Sequence, residues 1–107
     1  MNLNEAMVSE SSKIFSALGD PSRLRILQVL LSAGAPMHQG ALALAAGLSQ
    51  ANASKHLLQL ARVGLVVKER QGNLMLFSPA GPLVTGLCDL VCDHVTKRIQ
   101  HAYSAVN

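Results

Sequence analysis

Apolar positions recur along most of this chain at three- and four-residue spacing, and near residue 65 the pattern changes to that of strands. Residues 5–18 carry Val8, Ile14, Phe15 and Leu18 on one side and stop at Gly19, which predicts a first helix. Asp20-Pro21 restarts the helical pattern, with Asp as N-cap and Pro at the first helical position. Leu24, Leu27, Leu30 and Leu31 then predict a core helix that ends at Gly34 and Pro36. Residues 38–46 read as a short helix broken by Gly47, which supplies the positive φ of a tight turn. Ser49 caps the next helix, Gln50 to Val63. Its inward side is Ala53, Leu57, Leu60 and Ala61; its polar side is Gln50, Asn52, Ser54, Lys55, His56, Gln59 and Arg62.

After Gly64, the β-branched run Leu65 to Arg70 predicts a strand, Gln71-Gly72-Asn73 a turn, and Leu74 to Ser78 a returning strand. Pro79, Gly81 and Pro82 punctuate, and residues 83–105 predict a last long helix. A short helix, a glycine turn, a capped helix with a polar outer face and a hairpin make a helix-turn-helix followed by a wing. The expected fold is therefore mainly α with a small β-hairpin, about five helices and a two-stranded wing, in one domain over 1–107. The helix-turn-helix is expected at about 38–63, the wing at about 65–78, and helices suited to dimerisation at about 5–18 and 83–105.

Composition narrows this further. Half of the residues are apolar and 14% are charged, as in a globular domain. One Tyr, two Phe and no Trp argue against modules that stack bases on aromatic platforms. A mean hydropathy of +0.30 in so short a chain points to apolar surface covered by a second copy. There is no apolar run long enough to span a membrane. The start, Met1-Asn2-Leu3-Asn4-Glu5, lacks the basic-then-apolar pattern of a signal peptide, so a cytoplasmic chain is expected. Two cysteines, Cys88 and Cys92, are too few for a disulfide scaffold.

Charge is unevenly placed. Residues 21–78 hold Arg23, Arg25, Lys55, Arg62, Lys68 and Arg70 against Glu69 alone, whereas both flanks are neutral or acidic. A basic surplus confined to the centre suits a polyanion such as nucleic acid.

These segments resemble a known family. Leu18-Gly19-Asp20-Pro21-Ser22-Arg23-Leu24-Arg25-Ile26-Leu27 looks like the entry to the second helix of the ArsR/SmtB winged-helix repressors. Gly47-Leu48-Ser49-Gln50-Ala51-Asn52-Ala53-Ser54-Lys55-His56-Leu57 looks like their recognition helix. Gly64-Leu65-Val66 with the hairpin Arg70 to Ser78 looks like their wing. The resemblance covers roughly residues 10 to 100. It implies a homodimer joined through its first and last helices, a double-stranded DNA operator with inverted repeats, and release by an inducer. Two family metal motifs are missing. Residues 37–46 hold no cysteine, and the last helix has Asp93 beside His94 and Ser104 three residues after His101. No metal site or cofactor is therefore expected from the resemblance, and the inducer stays open.

The residues allow roles to be assigned. The first turns of a recognition helix need small or flexible hydrogen-bonding groups. Gln50 suits adenine, Ser54 several bases, and Ala51 a thymine methyl, while Lys55, Arg62 and the Ser49 cap region suit phosphates. His56 and Gln59 fit either role. Lys68, Arg70 and Asn73 around the wing tip can follow a phosphate backbone or enter the minor groove, or can simply solvate an edge.

On the last helix Val84, Cys88, Cys92, Val95, Ile99 and Val106 form one stripe flanked by Leu87, Val91 and Ala102. Val84, Cys88, Val91, Cys92, Val95, Ile99 and Ala102 are the expected dimer interface. Cys88 and Cys92 are then small packing residues, a dithiol sensor of the inducer, or ligands of a soft metal ion or metalloid. Asp89 and Asp93 nearby should raise the thiol pKa and so disfavour reactivity. His94 and His101 lie on another flank, and His38 is a lone helix-start residue. The fold also admits a winged-helix protein-interaction module, but such a module has no need of the central basic surplus. No nucleophile arrangement, phosphate loop or carboxylate pair points to an enzyme.

Overall fold

The computed structural model describes residues 4–106, with side chains to residue 104. Residues 1–3, part of the start that looks unlike a signal peptide, and the Val106 side chain lie outside what is described. The elements are α1 (Glu5–Leu18), α2 (Pro21–Ala33), β1 (Met37–His38), α3 (Gln39–Ala46), α4 (Gln50–Arg62), β2 (Val66–Gln71), β3 (Leu74–Pro79) and α5 (Gly81–Val106).

The helix boundaries follow side-chain chemistry. Asn4, Asp20, His38 and Ser49 each accept a hydrogen bond from the backbone N–H three residues on, at 2.9 to 3.3 Å. His38 is thus the cap of α3 rather than its first residue. Gly47 takes φ +69°, and the Gly47 and Leu48 N–H groups return to Leu44 and Ala43 carbonyls at 3.2 and 2.9 Å. This Schellman closure turns the chain sharply between α3 and α4. At the wing tip Gly72, at φ +59°, and Asn73 join Gln71 to Leu74. Positive φ at the first central residue alone matches the type II′ hairpin, whose twist suits the strands it joins.

The expected two-stranded wing forms as the hairpin β2–β3, and the sheet gains a third strand. β1 pairs with β3, Met37 opposite Phe77 and His38 opposite Leu76, giving the order β1-β3-β2. Two residues after Pro36 are too few to carry a periodicity signal. They are strand because β3 offers an open edge beside them. α5 also begins two residues before the expected start, with Pro82 tolerated in its first turn.

Ile26, Leu27 and Leu30 of α2, Leu42 of α3, Leu57 and Leu60 of α4, Leu65 before β2 and Val84 of α5 are almost wholly buried. Ala17, Ala46, Val66 and Phe77 complete the cluster, and no polar side chain is buried among the described residues. Leu24, expected on the core side of α2, is instead half exposed, as are Val8 and Phe15 of α1. Ala17, Ile14 and Leu18 join α1 to the core, while Met7, Val8 and Phe15 stay exposed.

The core stripe of α4 predicts a sharp contrast between neighbours. Leu57→Ala should cost about 2–5 kcal/mol by chemical denaturation at fixed protein concentration, whereas Leu58→Ala, half exposed, should cost under about 1 kcal/mol. Equal costs would contradict the described packing.

Candidate nucleic-acid interface

Burial of Ala53, Leu57 and Leu60 fixes which side of α4 faces solvent. Ala51, Lys55 and Arg62 lie opposite the buried stripe at 100° per residue, and all three are exposed. Ser54, also exposed, stands on the side towards the wing, and Gln50, exposed in the first turn, lies by α3, where Gln39 Nε2 donates to its carbonyl at 3.2 Å. Ser49 accepts the Asn52 N–H at 3.1 Å, so the helix presents a capped N-terminus at the same end.

The wing lies beside this face. A groove of about 240 Å³ runs between α4 and the sheet, lined by Ser54, Leu58, Lys68 and Met75 over Leu57 and Phe77. Lys68 is thereby placed next to the α4 face, and Arg70 and Asn73 are exposed towards the hairpin tip. Among the described residues the ion pairs are Lys13–Glu10 and Lys97–Asp93, both at 3.0 Å. None of the cations on α4 or the wing is in one, so their charge is available to a polyanion.

Arg23, on another helix, engages two of the expected residues. His56 and Gln59 sit on the flank of α4 towards α1 and α2, where Arg23 engages them. Arg23 Nη1 donates to Gln59 Oε1 at 2.6 Å and lies 3.4 Å from His56 Nδ1. His56 is half-buried, and Gln59 keeps its amide NH₂ for another partner. Periodicity placed both on the polar side but could not show a partner thirty-odd residues away in sequence. Leu58, half exposed on the groove, was missed for the opposite reason: an apolar residue carries no polar signal, yet here it faces outward.

The α5 stripe also divides. Val84 is 1% exposed and belongs to the protomer's own core, so it is withdrawn from the expected dimer interface. Cys88 is half-buried against that core, whereas Cys92 is exposed. α5 leaves the domain after about two turns, so one stripe serves two surfaces. Beyond it Leu90, Val91, Val95 and Ile99 stand exposed, Leu90 being absent from the expected set. Burial, then the neighbouring Cys92 and Asp89, push the Cys88 thiol up from its ordinary value. No group of three or more His, Cys, Asp or Glu among the described residues could hold a metal ion. None of the described helices is long and apolar enough to cross a membrane.

Comparisons agree with this geometry. Residues 18–69 match a helix-turn-helix domain model. The uncharacterized HTH-type transcriptional regulator Rv0081 of Mycobacterium tuberculosis is 32% identical over 84 residues, spanning 78% of this chain and 73% of the relative. The homodimeric winged helix-turn-helix DNA-binding domain of Mb0332 from Mycobacterium bovis, a possible ArsR-family regulator, superposes with a TM-score of 0.82 at 28% identity, covering 94% of each chain. The AntR antimony-specific transcriptional repressor superposes with a TM-score of 0.78 at 26% identity, covering 94% of this chain and 90% of AntR.

Asp20 gives the site an acid limit. The Arg23 backbone N–H, and then the Arg23 guanidinium, hold its carboxyl below the usual carboxylate range. A lowered folded value stabilises the fold above the value of the unfolded chain, and that contribution is lost as the pH falls through the folded one. Thermal unfolding should therefore show stability declining below about pH 4. In Asp20→Asn, which keeps a capping oxygen without the charge, the decline should be shallower; an identical acid limb would remove Asp20 from it.

Proposed function

The chain belongs to the ArsR/SmtB family of winged helix-turn-helix transcriptional regulators, and on that premise we propose that it is a dimeric, sequence-specific repressor displaced from its operator by an inducer. The observation that carries the DNA-binding part is the unpaired basic face formed by α4 and the wing. Lys55, Arg62, Lys68 and Arg70 supply charge there, while Gln50, Ala51 and Ser54 occupy the turns that enter a major groove.

Dimerisation is supported by the exposed apolar side chains of α1 and α5. Phe15 is 66% exposed, Leu90 72% and Ile99 64%. A 26-residue helix extends about 39 Å, and its outer turns have few partners within the protomer. A second copy would cover this apolar surface and set two recognition helices about 34 Å apart for an inverted-repeat operator. The homodimeric state of the Mb0332 domain supports the same arrangement.

Release by a thiophilic species acting at Cys88 and Cys92 completes the proposal. The residues sit one turn apart where α5 passes from core to dimer face, so a ligand bridging them would act on the helix that spaces the DNA-reading heads. Oxidation and metal binding both use the thiolate, so the raised Cys88 thiol makes either response weaken as the pH falls, and a metal or metalloid bound there displaces the thiol proton. Two cysteines per protomer make further ligands from the second copy necessary, and the antimony specificity of AntR is in keeping with this chemistry.

Three outcomes test this reading. Lys55→Ala should weaken binding to all duplexes and lower the salt dependence by about one unit, whereas Gln50→Ala should relax preference at one base position by about 1–3 kcal/mol. Indistinguishable sequence profiles would overturn that division. Sedimentation at micromolar concentration should give a dimer, and a species of 11.3 kDa alone would exclude it. Arsenite should release the wild type from DNA but not the Cys88→Ser, Cys92→Ser double variant; release of both would place the sensor elsewhere.

A further inference from the structure

Arg23, the third residue of α2, makes a dense cluster of side-chain hydrogen bonds among the described residues, and DNA reading by α4 and the wing makes no direct use of it. Its Nε donates to the Ala17 carbonyl at 2.7 Å and its Nη2 to the Ser16 carbonyl at 3.2 Å. Both carbonyls belong to the last turn of α1, where a cation is favoured; the Ser16 carbonyl also accepts the Gly19 N–H at 3.2 Å. Its Nη1 reaches Gln59 Oε1 at 2.6 Å and His56 Nδ1 at 3.4 Å on α4. Its backbone N–H is held by Asp20 at 3.0 Å. Three of the five guanidinium N–H groups thereby donate within the protomer, and Nη1 also lies against His56.

A polar cleft of about 570 Å³ opens at this junction, with Lys13 and Ser16 on α1 and Gln59 and Arg62 on α4. Arg23 therefore spans a gap that apolar packing leaves open. A planar guanidinium with donors on both edges can join the end of one helix to the side of another, which a lysine ammonium cannot reproduce.

We propose that Arg23 is a positioning residue that fixes α4 against α1, linking the helix that carries the exposed apolar side to the helix that reads DNA. The inference rests on the DNA-binding reading of α4 and deepens it. Arg23 touches no base. It holds the flank of α4 so that Gln50, Ser54 and Lys55 arrive at the groove in register.

The test uses the full chain and two duplexes: one selected by the wild type from a randomised library, and a scrambled duplex of equal length. Arg23→Lys keeps the charge and loses the fork; Arg23→Gln loses both. Both should reduce the ratio of selected to scrambled affinity on the order of tenfold or more. Arg23→Lys should leave scrambled binding and its salt slope within about twofold of wild type. Amide hydrogen exchange should rise together in the last turn of α1 and in residues 56–62 of α4. Adding Gln59→Leu to Arg23→Gln should produce no further loss, because the link is already broken.

Equal loss on both duplexes in Arg23→Gln, with a salt slope lower by about one and an unchanged ratio in Arg23→Lys, would make Arg23 a phosphate contact and overturn the proposal. A lowered melting temperature with the ratio kept would make it a structural brace only, and wild-type behaviour would remove it altogether. If Arg23→Gln does not fold, Gln59→Leu alone cuts the α4 side of the link, and a kept ratio with unchanged exchange overturns the proposal. A wild type that selects no sequence would instead defeat the DNA-binding reading, while the exchange measurement would still decide the helix link.

Discussion

Burial of one narrow stripe of α4 is the constraint on which the rest depends. Leu57 and Leu60, packed with Ile26, Leu27 and Leu30 of α2, leave the helix only one rotational setting that hides its apolar atoms. Once that setting is fixed, Ala51, Lys55 and Arg62 must face outward, and the capped N-terminus must project with them. The hydrophobic effect, which carries no information about DNA, thus orients the groups that can read it. The wing follows from the same packing, since Leu65, Val66 and Phe77 join the core that α4 closes and bring Lys68 beside it.

A second constraint is size. So short a chain buries a small share of its surface, and this one spends 26 residues on a helix that touches its own core mainly through Val84 and Cys88. Burial of that helix by a second copy would supply the missing apolar contacts and set the distance between DNA-reading heads. Stability and function would then draw on the same surface. A ligand acting on α5 would need only to favour one dimer geometry over another to change DNA affinity.

Much of this was legible in the sequence because the signals were local. Asp20-Pro21, Gly47, Ser49 and Gly72 each announce a cap or a turn within three or four residues, and the α4 stripe repeats for three turns. What was missed depended on distance. β1 is a strand only because β3 lies beside it, two residues being too short for any pattern. The α5 stripe looked uniform, yet Val84 is buried in the core and Ile99 is exposed, because the helix leaves the domain between them. His56 and Gln59 read as base or phosphate contacts alike, and their engagement by Arg23 from another helix is a pairing that periodicity cannot encode.

The central claim is that the outward side of α4 and the wing form the surface that meets DNA. Titration of isotope-labelled protein with a duplex selected from a randomised library, followed by backbone amide chemical shifts, tests it most directly. The account predicts that the largest changes fall in residues 49–62 and 68–73, the recognition helix with its cap and the wing tip. Changes confined to α1 and α5, or none at saturating duplex, would contradict it.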